Sequence, residues 1–217
     1  MWDEQQQGVW PGRKPGNYEW FEIQDNVAYW QEFESSKIVY PDIYLHQSFS
    51  WDTQGFYPAN TCYFIPTDQK WLCGLLNSLA IEWFYEQIAN RIQGGYLRAF
   101  SDRMQSVPIP PTSPAQQAVI ESLVTAVIES DGPKYEQLIN GLVYELFFPD
   151  DLHAAGIRLF EACEREHITR LAALQGPALQ TETEAMAERI FNNSHPIYAM
   201  LFDLKALDVV RIIEARD

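Results

Sequence analysis

The chain has 217 residues, 47% of them hydrophobic, and a net charge of −15. That length can bury one good core or two small ones, and 7 Trp, 11 Tyr and 12 Phe exclude a disordered polar segment. No apolar run reaches bilayer-spanning length and the N-terminal segment lacks a signal-peptide pattern, so no membrane partner is expected. Three widely spaced cysteines, Cys62, Cys73 and Cys163, read as reduced thiols and predict a cytoplasmic setting.

Residues 1–17 are rich in Gln, Gly and Pro, lack periodicity and read as a linker. A chain that opens on a linker is expected to be part of a longer protein or one gene of a split pair. Residues 18–111 are dominated by aromatic and β-branched residues. Strand patterns fall at 18–23, 37–45, 49–51 and 60–65, with Gln54-Gly55 as a hairpin turn between the last two. One helix interrupts them. Asp68 is its expected cap, and Leu72, Leu75, Leu76, Leu79, Trp83, Phe84 and Ile88 form its apolar stripe. Gly94-Gly95 then permits a tight turn into a strand at 96–100. The prolines of 107–111 (VPIPP) make a stiff extended connector.

From residue 112 the pattern becomes helical. Ser113 is the expected N-cap, Pro114 opens the helix and Gln116 completes a capping box. Val119, Ile120, Leu123, Val124, Val127 and Ile128 recur on one face. Gly132 ends this helix and Pro133 opens the next, with Leu138, Ile139, Leu142, Val143, Leu146 and Phe147 as its stripe. A third helix is predicted from an Asp150 cap to Gln175, stopped by Gly176-Pro177. Thr181 and Glu184 suggest another capping box, and two further helical stretches follow, the last at 204–215. The expected fold is therefore α+β, a mixed β-rich module with one inserted helix (18–111) followed by an all-helical module (112–217).

Charge weighs against nucleic-acid binding, because phosphate contacts need Lys and Arg. Residues 1–111 hold 7 Lys+Arg against 13 Asp+Glu, and residues 112–217 hold 8 against 17. Any DNA contact must come from a local cluster or rely on a neighbouring domain.

Catalytic signatures are incomplete. Residues 11–16 (PGRKPG) lack the strand and helix that frame a phosphate loop, and read as linker from which Arg13 and Lys14 can reach a phosphate. The cysteines and His46, His153, His167 and His195 have no zinc-site spacing. Glu164 and His167 have the spacing of a di-iron helix pair, without the second pair and carboxylates such a site needs. Asp42, Asp68 and Lys70 match a loose metal-dependent nuclease pattern, although Asp68 has a structural role open to it as a cap. The chain has neither the Asn/Asp-Pro-Pro-aromatic loop nor the glycine-rich strand–turn of an adenine methyltransferase. No catalytic and no metal-binding residue is assigned.

A set of stretches nevertheless occurs in a telling order: 18–30 (YEWFEIQDNVAYW), 37–43 (KIVYPDI), 60–66 (NTCYFIP), 75–78 (LLNS), 94–98 (GGYLR) and 107–111. Together they resemble the target-recognition domain of type IIG restriction–modification enzymes and their adenine methyltransferase relatives. Residues 108–120 are also similar to the end of recognition domains in type I specificity subunits, and 139–147 (INGLVYELF) to the helix that commonly ends such proteins. The likeness covers about residues 18–148. It implies a sequence-reading module whose partners are double-stranded DNA and an upstream methyltransferase or nuclease. S-adenosylmethionine is then expected in that catalytic partner and no cofactor in this chain.

Base reading needs Arg or Lys for guanine and Asn or Gln for adenine, with phosphate contacts around them. Arg91, Gln93, Gly94, Gly95, Arg98 and Arg103, in the segment RIQGGYLRAFSDR, are the first candidates; Tyr96 and Phe100 in the same segment serve a strand core equally well. Lys37 and Lys14 are candidate phosphate contacts, Gln47 and Gln54 candidate base readers, and Trp51 and Tyr57 stacking residues or core aromatics. Two other readings remain open. One is an acidic helical assembly subunit that binds no DNA; the other is a nuclease built on Asp42, Asp68 and Lys70.

Overall fold

β1 (Lys37–Pro41), with Lys37, Ile38 and Tyr40 buried and Val39 and Pro41 half-buried, is the centre of a sheet. The computed structural model describes residues 16–19, 21–22, 29–129 and 133–214. In it β1 pairs antiparallel with β3 (Ser50–Asp52) on one side and β4 (Cys62–Pro66) on the other. The order is β3-β1-β4. The hairpin expected at Gln54-Gly55 therefore does not form, because its two strands lie on opposite sides of β1. The Asp52 carboxylate instead accepts from the Gln54 and Phe56 N–H groups at 2.7 and 3.0 Å, turning the chain away from its own strand. Gly55 takes φ +74° in that turn.

The strand predicted over 37–45 is broken at Asp42. Its N–H donates to the Thr61 carbonyl and its carbonyl accepts from the Ala99 N–H, both at 2.8 Å. One residue thus passes the chain from the first sheet to a second, β2-β6-β5, made of Ile43–Tyr44, Leu97–Arg98 and Asn90–Arg91. The described residues of the strand predicted at 18–23 (Tyr18, Glu19, Phe21 and Glu22) form a turn, closed by Glu22 N–H to the Glu19 carbonyl at 3.0 Å. A 3-10 turn at Trp30–Glu34 follows, and its Phe33 packs on Phe64 and Tyr57 at 4.7 and 4.8 Å.

The inserted helix is two helices, α1 (Trp71–Leu76) and α2 (Leu79–Ile88). Asn77 ends the first: its amide donates to the Phe49 and Cys73 carbonyls at 2.7 and 2.9 Å and accepts from the Phe49 N–H at 2.9 Å. Ser78 then caps the second through the Ile81 N–H. Asp68 makes no cap, since Lys70 holds that position with no side-chain bond. After α2, the short α3 (Ser101–Met104) was not foreseen.

The Ser113–Gln116 capping box is present in both directions, at 2.9 and 3.3 Å, and starts α4 (Pro114–Glu129). α5 (Pro133–Phe147) follows as predicted. The long third helix does not: it is divided into α6 (Pro149–Ala154), α7 (Leu159–Arg165) and a 3-10 segment (Ile168–Ala173). The breaks fall at Gly156 (φ +77°) and His167 (φ +54°). Its start is Phe148-Pro149 rather than Asp150. Gly176-Pro177 opens α8 (Gly176–Ile190) instead of stopping a helix, because a first-turn proline lacks an N–H that would have no partner there anyway. Thr181 and Glu184 consequently lie inside α8. α9 (Pro196–Leu204) and α10 (Asp208–Glu214) complete the described chain.

The helices bind the sheets through one continuous core that runs from Ile38, Leu75 and Leu97 to Leu123, Leu138, Leu142 and Leu159. α1 packs on α4 and α5, and α2 on α5 and α10. The α1–α4 contact is close enough that a Cβ added at Gly74 would sit 2.7 Å from Val124 Cγ2. Among the described residues no helix is long and apolar enough to cross a membrane.

Candidate nucleic-acid interface

The second sheet has two unlike faces because register places alternate residues together. Tyr44 and Leu97 oppose each other and are buried toward α2, where the Tyr44 and Tyr85 rings are 6.1 Å apart. Burial pushes the Tyr85 phenol up to about 12, so it stays a neutral donor and holds the Arg98 carbonyl at 2.9 Å. Ile43, Arg98 and Asn90 oppose one another on the other face. That face is open: Ile43 is 44% exposed and the Arg98 side chain 36%.

A tight turn extends the same surface. The Ile92 N–H donates to the Tyr96 carbonyl at 2.8 Å and the Gly95 N–H to the Ile92 carbonyl at 3.2 Å. Gly94 and Gly95 take φ +87° and +82°, which a side chain would strain. Gln93 is exposed in this turn, beside exposed Leu45, Ile92 and Tyr96. Hydrogen-bonding and apolar side chains are thus interleaved around a backbone that a ligand can approach closely.

The three arginines expected on one loop are distributed over three elements. Arg98, on β6, is held firmly: its Nη2 lies 2.6 Å from Asp42 Oδ2, and its guanidinium carbon lies 4.6 Å over the Phe100 ring. Arg91 shares the register of Leu97 rather than of Arg98, and reaches Glu86 on α2 at 3.7 Å. Arg103, on α3, is 3.9 Å from Asp102. The last two pairs are exposed and long, so their mutual attraction is small and a phosphate can displace the carboxylate at little cost.

Lys37, a candidate phosphate contact, lies inside the fold. Its side chain is fully enclosed, 2.6 Å from Asp52 Oδ2 and donating to the Phe33 carbonyl. A strand-leading lysine was expected at the surface, but here the ammonium is the partner that lets Asp52 be buried. Burial pushes the Asp52 carboxyl up, yet the Lys37 ammonium and the N–H groups of Gln54 and Phe56 outweigh it and hold it below its ordinary value. Arg13 and Lys14 lie outside the described residues. Trp51 is half-buried against the core, and Gln54 is exposed on the turn after β3. Tyr57 is 60% exposed and stacked on Phe33. Gln47 lies away from the turn, in the wall of a cavity between α1, α2, α4 and α5.

Asn90 was missed by sequence reasoning. The signal was available: a strand leaving Gly94-Gly95 needs a partner strand entering it, and counting back from the turn places Asn90 opposite Arg98. The nuclease constellation is not assembled. Asp42 is engaged by Arg98, and Lys70 donates to Thr125 Oγ1 at 2.8 Å. Among the described residues no group of three His, Cys, Asp or Glu could hold a metal ion. Glu164 and His167 do not share a helix face, since His167 is in the left-handed conformation after α7.

Residues 9–109 match the TaqI-like C-terminal specificity domain, a target-recognition domain of restriction–modification enzymes. The match takes in both sheets, α1, α2 and α3 and ends before α4, so the likeness noted at residues 110–148 lies beyond it. No curated protein matches the chain.

Proposed function

We propose that this chain reads a base sequence in double-stranded DNA on behalf of a catalytic partner, an adenine methyltransferase and/or type II endonuclease on a neighbouring domain or subunit. It performs no chemistry itself. The observation that carries this reading is the specificity-domain match across the whole of residues 9–109, which contains the open face of the second sheet.

On that face Asn90 and Gln93 offer amides suited to an adenine edge, and Arg98 offers a guanidinium suited to guanine O6 and N7. Asp42 and Phe100 fix the orientation of Arg98 before DNA arrives, which lowers the ordering cost of binding. Arg91 and Arg103 flank it as phosphate contacts. Net charge opposes tight binding by this chain alone, so the partner supplies most of the phosphate attraction. S-adenosylmethionine would be held by a methyltransferase partner; the glycine turn here joins two strands of two residues each and precedes only the short α3, so it does not suit that cofactor. Three free cysteines favour a reducing, cytoplasmic setting.

The test is Asn90→Ala in the complete enzyme with its partner, assayed against a panel of duplexes differing at one base pair each. Loss of discrimination at one position by about 1–3 kcal/mol is expected, with affinity for random DNA unchanged. Uniform behaviour of wild type and variant across the panel rejects the assignment.

A further inference from the structure

The outer face of the second sheet carries more than its polar side chains. Register sets Ile43, Arg98 and Asn90 in one row across β2, β6 and β5. Nearer the glycine turn the Ile92 N–H bonds the Tyr96 carbonyl, so those two residues continue the faces of Asn90 and Arg98. Leu45 comes within 4.0 Å of the position that a Cβ on Gly95 would take, and the Tyr96 ring within 3.3 Å of one on Gly94. Ile43, Leu45, Ile92 and Tyr96 are all exposed. Apolar residues scattered singly over a surface need no explanation, but four in one block beside an arginine and an asparagine mark an interaction surface.

The chemistry of that block narrows what it meets. Phosphates and the hydrogen-bonding edges of bases gain nothing from an aliphatic side chain. In the major groove the apolar group that a base presents is the 5-methyl of thymine. The β5–β6 hairpin, with two residues in each strand, is narrow enough to enter that groove. Neighbouring strands lie ~4.8 Å apart and successive nucleotides of a strand about 3.4 Å along the helix axis. With the row lying along the groove, Ile43 is offset from Arg98 by between one and two base pairs, on the side away from Asn90. Asp42, the residue before Ile43, grips Arg98 at 2.6 Å, so the two side chains keep that spacing.

We propose that Ile43 contacts the 5-methyl group of a thymine within two base pairs of the pair read by Arg98, so that recognition includes a methyl group as well as hydrogen bonds. This rests on the base-reading assignment above and adds a requirement which that assignment does not make.

The experiment uses the complete enzyme with its partner. The recognised sequence is found with the panel of duplexes differing at one base pair each. Each of its thymines is then replaced singly by uracil, which deletes the methyl and leaves every hydrogen-bonding group in place. Wild-type affinity is expected to fall about fourfold at one thymine, as loss of one buried methyl gives. That thymine lies within two base pairs of the position at which Arg98→Ala loses discrimination. Ile43→Ala should bind the thymine and uracil duplexes equally there, and Ile43→Val should keep most of the preference. Three results overturn the proposal: equal wild-type affinity for thymine and uracil at every position, a recognised sequence with no thymine within two base pairs of the Arg98 position, or a thymine preference that survives Ile43→Ala. The first two need no Ile43 variant to fold. Uniform affinity across the single-base-pair panel would reject base reading and this contact together, whereas a panel that discriminates without methyl dependence rejects this contact alone.

Discussion

In the β3-β1-β4 sheet the charged pair Lys37–Asp52 is enclosed, with side-chain exposures of 0% and 8%. In the β2-β6-β5 sheet the corresponding charges, Arg91 and Arg98, keep 57% and 36% of their side chains exposed. The same stretch of chain feeds both sheets through Asp42, yet the first uses charge to hold strands together and the second leaves it available to a ligand. The difference arises from what covers each sheet. The first is flanked by the 3-10 turn, whose Phe33 carbonyl takes a hydrogen bond from Lys37, and by the turn after β3, whose N–H groups take Asp52. The second is covered on its inner face by α2 and left open on its outer face.

The sharpest way to break this comparison is to remove Asp52. Asp52→Ala leaves the Lys37 ammonium buried and unpaired, and a loss of about 3–5 kcal/mol in folding stability is expected by denaturant titration. Replacing both partners, Lys37→Met with Asp52→Leu, should recover much of it. The pair also has a pH signature. The folded carboxyl lies below its ordinary value of 3.8, so its stabilisation is present above that value and lost as pH falls through the lower, folded one. Asp52→Asn should therefore show a shallower decline of Tm below pH 3.8 than wild type. A loss under about 1 kcal/mol for Asp52→Ala would place the first sheet's charges with the exposed kind.

Arg98 tests the middle ground, because it is both braced and exposed. Arg98→Ala should cost about 1–3 kcal/mol of stability through the stranded Asp42 carboxylate, and also lower sequence discrimination in the complete enzyme. Adding Asp42→Ala should restore stability without restoring discrimination, which separates the two roles. The smallest effects belong to Arg91 and Arg103. Each change to Ala should leave stability within about 0.5 kcal/mol and reduce the slope of log affinity against log salt by about 1. An unchanged slope would remove that arginine from the DNA surface.

Several local signals were read correctly, although the Asp68 cap and the Thr181–Glu184 capping box did not form. The capping box spans three residues, Ser113 to Gln116, and formed as expected. The apolar stripes of α4 and α5 and the turn at Gly94-Gly95 are of the same kind. Specificity-domain character was legible too, because it rests on the order of short segments along the chain. Other errors occurred where a residue's partner is distant. Asn77 ends α1 because Phe49, 28 residues away, takes its amide. β1 separates β3 from β4 because Asp52 finds Lys37 and turns, and Asp42 divides a single predicted strand because Thr61 and Ala99 claim its two backbone groups.

By itself, then, the amino-acid order determined the starts of α4 and α5, the glycine turn, the β-rich then helical layout and the kind of domain. The tertiary structure alone decided which sheet each strand joined and that Lys37 is buried against Asp52. The physical reason is range. Caps and stripes act over one helical turn, while strand partnership and the burial of a charge depend on groups brought together only when the chain has folded.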